Sequence, residues 1–481
     1  MSDEENPVVL YGADPVATAI ATFTDGLYRY LGSLGLPTER VLVEVPERGA
    51  VLGNLPTVTA RVPAPQRGES LYLSKFTAAC AAGLFDAALN YLWDETVTNL
   101  RGKATRFDLE YFYDNAVPDQ SRRRDFRSED DLSKLADYDL IRGCQVTGII
   151  TEIGYKHLDY IRDMRNHVSA AHPNQNDLTG LQLVGWLDTC VRQVLNKEPE
   201  GPAVEVKRLL YNLRTQVLTT SHVPPILAAV VQLPEQLAQS LLRSVFGMYT
   251  DPDVAASVRN NITLTARAIW SATGPTTRAE IGVKCATFAV NGEVDRNDLG
   301  RKFLETVDGL RFLPEDVRAV EIDAALTELL NAHNGFNNFY NEPPRAQILA
   351  RLVPETGSVP EAVERKYMAI LTLCRIGNGY GVSREAQPIY DKLLSTFSDR
   401  LMAHFVQCVG FSTRLSSRLQ TLSCARRCLE VARSFRDRTA NVLIRRGLDV
   451  VLETSAQNLR SLKTHAKYQE AVRDLVLFLG E

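Results

Sequence analysis

The stretch LYLSKFTAACAAGLFDAALNYLWDETVTNLRGKA, residues 71–104, decides the fold class. Leu84, Phe85, Ala88, Leu89, Leu92 and Val97 recur at steps of three and four, so one stripe of a 3.6-residue helix is apolar. The spacing predicts one long amphipathic helix. Outward from it the same period returns. A second helix is expected over roughly 130–139 and a third over about 142–171, broken near Gly154, and LTGLQLVGWLDTCVRQVLNK (178–197) reads as a closing helix. Upstream, DPVATAIATFTDGLYRYLGSL within 10–35 predicts a further helix. RVLVEVPERGAVLGNLPTVTARV (40–62) alternates β-branched residues around a Gly/Pro turn and predicts a small β-hairpin.

Two composition breaks divide the chain. PAPQRGES is a first linker and NKEPEGPA (196–203) a second, which gives an N-terminal extension (1–68), a helical bundle (69–200) and an α-helical C-terminal region (201–481). In the last region, helical stretches are separated by turns such as SHVPP, YTDPD, SATGPTT, GVSRE and GFSTR, without a fixed repeat. The expected architecture is all-α: a bundle followed by a solenoid-like helical array, a form that offers surface rather than chemistry. The polar, aromatic connection 105–129 carries the run Arg122–Arg124, read as a solvated loop.

Chemistry concentrates in LDYIRDMRNHVSAAHPN (158–174). Arg165 and His172 are seven residues apart, which on a helix returns the side chains to within about 20° of each other. A permanent cation and a titratable imidazole then share one stripe. Arginine can hold a phosphate or stabilise a pentacovalent dianion, and histidine moves protons near neutral pH. Pro173 disfavours the α conformation at His172 and so ends the helix there. Two other pairs, Arg162/His167 and Arg460/His465, have a five-residue offset, about 140° apart on a helix. The first overlaps the favoured motif and is kept as its fallback.

Arg165, Asn166 and His172, with the surrounding order of helices and a polar HPNQND turn, resemble the HEPN superfamily of ribonucleases and their Arg-x(4–6)-His signature. The resemblance covers about 130 of the 481 residues. It implies a metal-independent RNA endonuclease that uses the nucleotide's own 2′-hydroxyl as nucleophile. His172 would be base or acid, Arg165 would hold the scissile phosphate and Asn166 would support its oxygens. It further implies a homodimer with paired motifs, a setting in host defence or toxin-type RNA cleavage, and room for a protein trigger or antitoxin as partner.

Charge is uneven. Residues 201–481 hold 34 Lys/Arg against 29 Asp/Glu, whereas residues 71–200 hold 15 against 20. Arg414, Arg418, Arg426, Arg427, Arg433, Arg436, Arg438, Arg445 and Arg446 crowd residues 411–448 against only Glu430 and Asp437. Arginine without lysine suits bidentate phosphate contacts, and Arg426, Arg427 and Arg433 are the expected RNA-binding residues. Pairing with acidic helices is the plainer reading of the same cluster. The overall charge of −4 argues against indiscriminate nucleic-acid binding.

The remaining features exclude more than they add. No apolar run approaches a membrane span and MSDEENPVV is acidic rather than signal-like, so a soluble cytoplasmic protein without membrane association is expected. The eight cysteines lie mostly in apolar helical patterns and read as free thiols. His404, Cys408, Cys424 and Cys428 have spacings that could share helix faces, but helical Cys-x(3)-Cys is not a finger spacing, and buried small hydrophobes are the preferred reading. No metal or other cofactor is expected. Phosphate-binding-loop, dinucleotide-binding, zinc-protease and Gly-x-Ser-x-Gly motifs are missing. Against the ribonuclease stands a non-catalytic helical scaffold, in which Arg165 pairs with Asp94, Glu95 or Glu152 and His172 merely caps its helix.

Overall fold

The computed structural model describes residues 15–117, 119–168 and 178–480. Among them every regular element is a helix and no strand occurs, so the protein is an all-α helical array. The described residues form two compact units. The first runs through Met248 and includes Val254–Thr273; the second comprises Tyr249–Asp253 and the chain from Gly274 onward. NKEPEGPA (196–203) lies inside the first unit, where it leads into the helix Gly201–Thr215.

In the first unit the helix Phe85–Phe107 is central, packed by Leu71–Ala82, Asp137–Val146, Glu152–Val168 and Gly180–Cys190. Phe85, Ala88, Leu89, Leu92 and Val97 are buried along it, as their spacing requires. The expected single helix over 71–104 is instead two, and Leu84 points outward. Gly83 breaks it in a left-handed conformation with φ 87°. Its N–H returns to Ala79 and Cys80, and the space a Cβ would take is filled by the Arg48 guanidinium. Arg48 is itself buried: Nε donates to the Val43 carbonyl at 2.5 Å and Nη1 to Thr24 Oγ1 at 2.7 Å.

The predicted hairpin over 40–62 is a helix, Val45–Thr59. Proline in its first turn suits a helix start, and Arg48, Val51, Leu55 and Val58 are buried at steps of three and four. The helical period of those positions outweighed the β-branched alternation. The helix expected over 130–139 is a 3₁₀ turn, Glu129–Lys134, before the helix Asp137–Val146. The helix expected over 142–171 breaks after Val146, at Gly148 with φ 77°, rather than at Gly154. The connection 105–129 contains the helix Leu109–Ala116 and the turn Gln120–Arg123. The closing helix Gly180–Cys190 starts at a capping box of Thr179 and Gln182 and ends in a π-turn.

In the second unit the helix Asp399–Phe411 is enclosed, with every residue from Leu401 to Gly410 buried. Around it stand Glu361–Ile376, Val442–Glu453 and Ala466–Leu479, and Leu422–Arg438 packs on Glu361–Ile376 and Val442–Glu453. Among the described residues no helix is long and apolar enough to cross a membrane.

Candidate functional site

Arg165 lies in the last turn of the amphipathic helix Glu152–Val168, whose Leu158 and Ile161 are buried. It leans toward the helix Phe85–Phe107. Its Nε donates to Asn90 Oδ1 at 2.9 Å and its Nη1 to Asn166 Oδ1 at 3.1 Å. Asp137 Oδ2 stands 3.9 Å away, but the same oxygen accepts the Trp93 indole N–H at 2.6 Å. The Arg165 side chain is 31% exposed. An amide therefore makes its closest contact, while the carboxylates of Asp137 and Asp94 balance the guanidinium charge from farther away. Among the described residues, no hydrogen bond engages its Nη2.

A second charged group stands near Arg165. Asp94, one turn beyond Asn90, has its carboxyl pushed above the ordinary aspartate range by burial and by Asp137, against the opposing pull of Arg165, Arg101 and Lys75. Lys75 lies over the rings of Tyr72 and Tyr91, at 5.5 and 5.6 Å from their centroids. The surroundings of Arg165 thus combine cations, a carboxyl with raised proton affinity and amide oxygens that accept from the guanidinium. The sequence signal for these neighbours is the pair Asn90/Asp94, polar at an i, i+4 interval inside an otherwise apolar stretch.

His172 falls outside the described residues. The fallback pair is not brought together. Arg162 is held by Asp159, with Nε and Nη2 at 3.0 and 2.8 Å from Oδ1, and lies over the Tyr138 ring. His167 projects into solvent with Nδ1 2.8 Å from the Asp163 carbonyl oxygen. Of the acids named as alternative partners for Arg165, Glu95 is bound by Ser70 and Asn99, and Glu152 pairs with Lys156.

The arginine-rich segment divides into two groups. Six of its arginines serve the fold. Arg418 donates to the Asn378 carbonyl at 2.9 Å, Arg427 to the Ile376 carbonyl at 3.1 Å, and Arg438 to the Leu394 and Phe397 carbonyls at 2.8 and 3.0 Å. Arg436 pairs with Asp449, Arg445 donates to the Thr439 carbonyl, and Arg446 bridges Glu470 and Asp474. Arg427, read from the sequence as an RNA contact, caps a helix C-terminus instead. Arg414, Arg426 and Arg433 are exposed, and their side chains contact no carboxylate among the described residues.

His404, Cys408, Cys424 and Cys428 are all buried. His404 Nε2 faces Glu364 at 3.8 Å, the Cys424 thiol donates to the Gly377 carbonyl, and burial pushes the Cys428 thiol up to about 12. No group of three or more potential metal ligands occurs among the described residues. Compared with known proteins, the chain matches no family model, no curated sequence and no solved structure.

Proposed function

We propose that the protein is a metal-independent RNA endonuclease of the HEPN type, with Arg165 and His172 as its working pair. The observation that carries this reading is how Arg165 is held. Its Nε rests on the neutral Asn90 amide, so the cation is oriented without a carboxylate in hydrogen-bond contact. A scissile phosphate bound there would meet a guanidinium already fixed by Asn90 and Asn166. His172 moves the proton of the 2′-hydroxyl or of the leaving oxygen, and the raised proton affinity of the nearby Asp94 carboxyl supports acid–base chemistry beside Arg165. Two bundles related by a twofold axis would supply both a base and an acid, so a homodimer through residues 71–200 belongs to the proposal. So do a cytoplasmic, host-defence or toxin-like setting and a protein trigger or antitoxin. The eight thiols, all free and buried, support a reducing compartment.

The test is cleavage of a labelled RNA in EDTA. Arg165→Ala and His172→Ala should each abolish cleavage and leave the helical circular dichroism spectrum unchanged, and the double variant should be no worse than either single one. Full cleavage by His172→Ala would overturn the assignment.

One observation favours the scaffold reading. Arg165 also reaches Asp137 at 3.9 Å, so it ties together the helices that begin at Phe85, Asp137 and Glu152. Under that reading Arg165→Ala lowers the melting temperature, and no RNA cleavage is found in the parent protein.

A further inference from the structure

Three segments of the second unit converge on one surface. HNGFNNFYN (333–341) joins the helices Glu315–Asn334 and Asn338–Leu352, and IGNGYGVSR (376–384) leaves the helix Glu361–Ile376. The third, 412–427, holds the helix Thr413–Arg418 and the start of Leu422–Arg438. Asn378 Nδ2 donates to the His333 carbonyl, and Ser383 Oγ donates to the Phe339 carbonyl at 2.8 Å. Arg418 closes the triangle through the Asn378 carbonyl and Asn334 Oδ1, at 2.9 and 2.5 Å. Gly377, Gly379 and Gly381 all have positive φ, which lets the loop turn this tightly over the helix end.

This junction displays aromatic rings rather than burying them. Phe336 is 89% exposed, Tyr340 82%, Tyr380 91% and Phe339 39%. Gly381 lies against the Phe339 ring, so Tyr380 stands beside the aromatic run of the neighbouring segment. Exposure of this order, for several large rings in one place, is unusual on a surface with nothing to bind. Within the three segments the charge is of one sign, and the exposed Glu385 follows Arg384 directly. The three segments contain Arg384, Arg414, Arg418, Arg426 and Arg427 and not one Asp or Glu.

We infer that this aromatic and arginine surface binds single-stranded RNA, with bases stacked on Phe336, Tyr340 and Tyr380 and phosphates drawn by Arg384, Arg414 and Arg426. Exposed rings offer every base a stacking face whatever the sequence, and a rim with arginines in excess over acids matches a polyanion. Duplexes keep their bases stacked on one another and gain only the charge term. The inference goes beyond the Arg165 reading and does not depend on it, since the two surfaces lie in different units.

The test uses the full chain and a fluorescent 2′-O-methyl oligouridine, which lacks the nucleophile for cleavage, with binding read by anisotropy. Tyr340→Ala, Tyr380→Ala and Phe336→Ala should each weaken binding roughly tenfold. Tyr340→Phe and Tyr380→Phe should bind as the parent does. Arg414→Gln and Arg426→Gln should each lower the slope of log affinity against log salt by about 0.7. His172→Ala should bind normally, which separates failure of the cleavage reading from failure of this one. Tyr211→Ala, at an exposed ring of the first unit, is the control and should change nothing. Unchanged affinity in the alanine variants, or equal binding of a duplex, overturns the proposal, and so does equal weakening by Tyr211→Ala.

Discussion

Glu342 is a fully buried carboxylate whose stability rests on three donors. His333 Nδ1–H, Asn338 Nδ2 and the Tyr390 hydroxyl reach it at 3.0, 2.7 and 2.8 Å. Burial alone would push its carboxyl up; the donors outweigh burial and hold it below the ordinary 4.5. A depressed pKa contributes stability that is complete above the unfolded value and is lost as pH falls through the folded one. The second unit should therefore weaken below about pH 4.5. Glu342→Gln should cost roughly 1.5–3 kcal/mol at neutral pH and flatten that acid limb, as read by urea melts at several pH values. An acid limb as steep as the parent's would place the titrating group elsewhere. Nothing in NNFYNEPPRAQ announces this residue, because its donors come from as far away as Tyr390. Arg165 was singled out by its seven-residue spacing to His172, with Asn166 directly after it. Asn90 and Asp137 were not, since they reach it through packing.

Among the elements, the helices Pro15–Ser33 and Gly180–Cys190 and the apolar stripe of 85–97 could be read from period alone. What could not be read was where a helix stops. Gly83 ends one because Arg48, from another helix, occupies the space beside it. The helix Val45–Thr59 was missed because its valines mimic an alternating pattern while its packing follows the helical step. The helix Leu422–Arg438 holds arginines of both kinds: Arg426 and Arg433 are exposed, whereas Arg427 and Arg436 are tied into the fold. Its last residue, Arg438, spans the Leu394 carbonyl in the last turn of the helix Gln387–Ser395 and the Phe397 carbonyl just past it. Arg438→Ala should cost about 1 kcal/mol and lower the melting temperature by a few degrees. Arg438→Lys should not restore it, because a point charge lacks the planar fork. Full recovery by lysine in a thermal melt would reduce the residue to a simple cation.

For the whole molecule, an all-helical chain was legible from sequence, whereas its division into units was not. NKEPEGPA has the composition of a linker yet lies within the first unit, because composition records solvent exposure and not which cores the flanking helices share. The proposed twofold site also belongs to this scale. If each site draws groups from both protomers, mixing parent protein with His172→Ala should depress cleavage below the value set by dilution. A fully active monomer in analytical ultracentrifugation would leave one chain to supply every group. The arginine ties of the second unit carry a mechanical consequence. Helices joined only to their neighbours peel away one at a time under load. Here Arg418, Arg427 and Arg438 fasten the carbonyl ends of earlier segments to later ones, like rivets set across the grain. Tension on residues 333–438 should therefore be shared among the fastened strips, and the expected force–extension trace is a single rip without intermediate lengths, as a single-molecule pulling experiment would show.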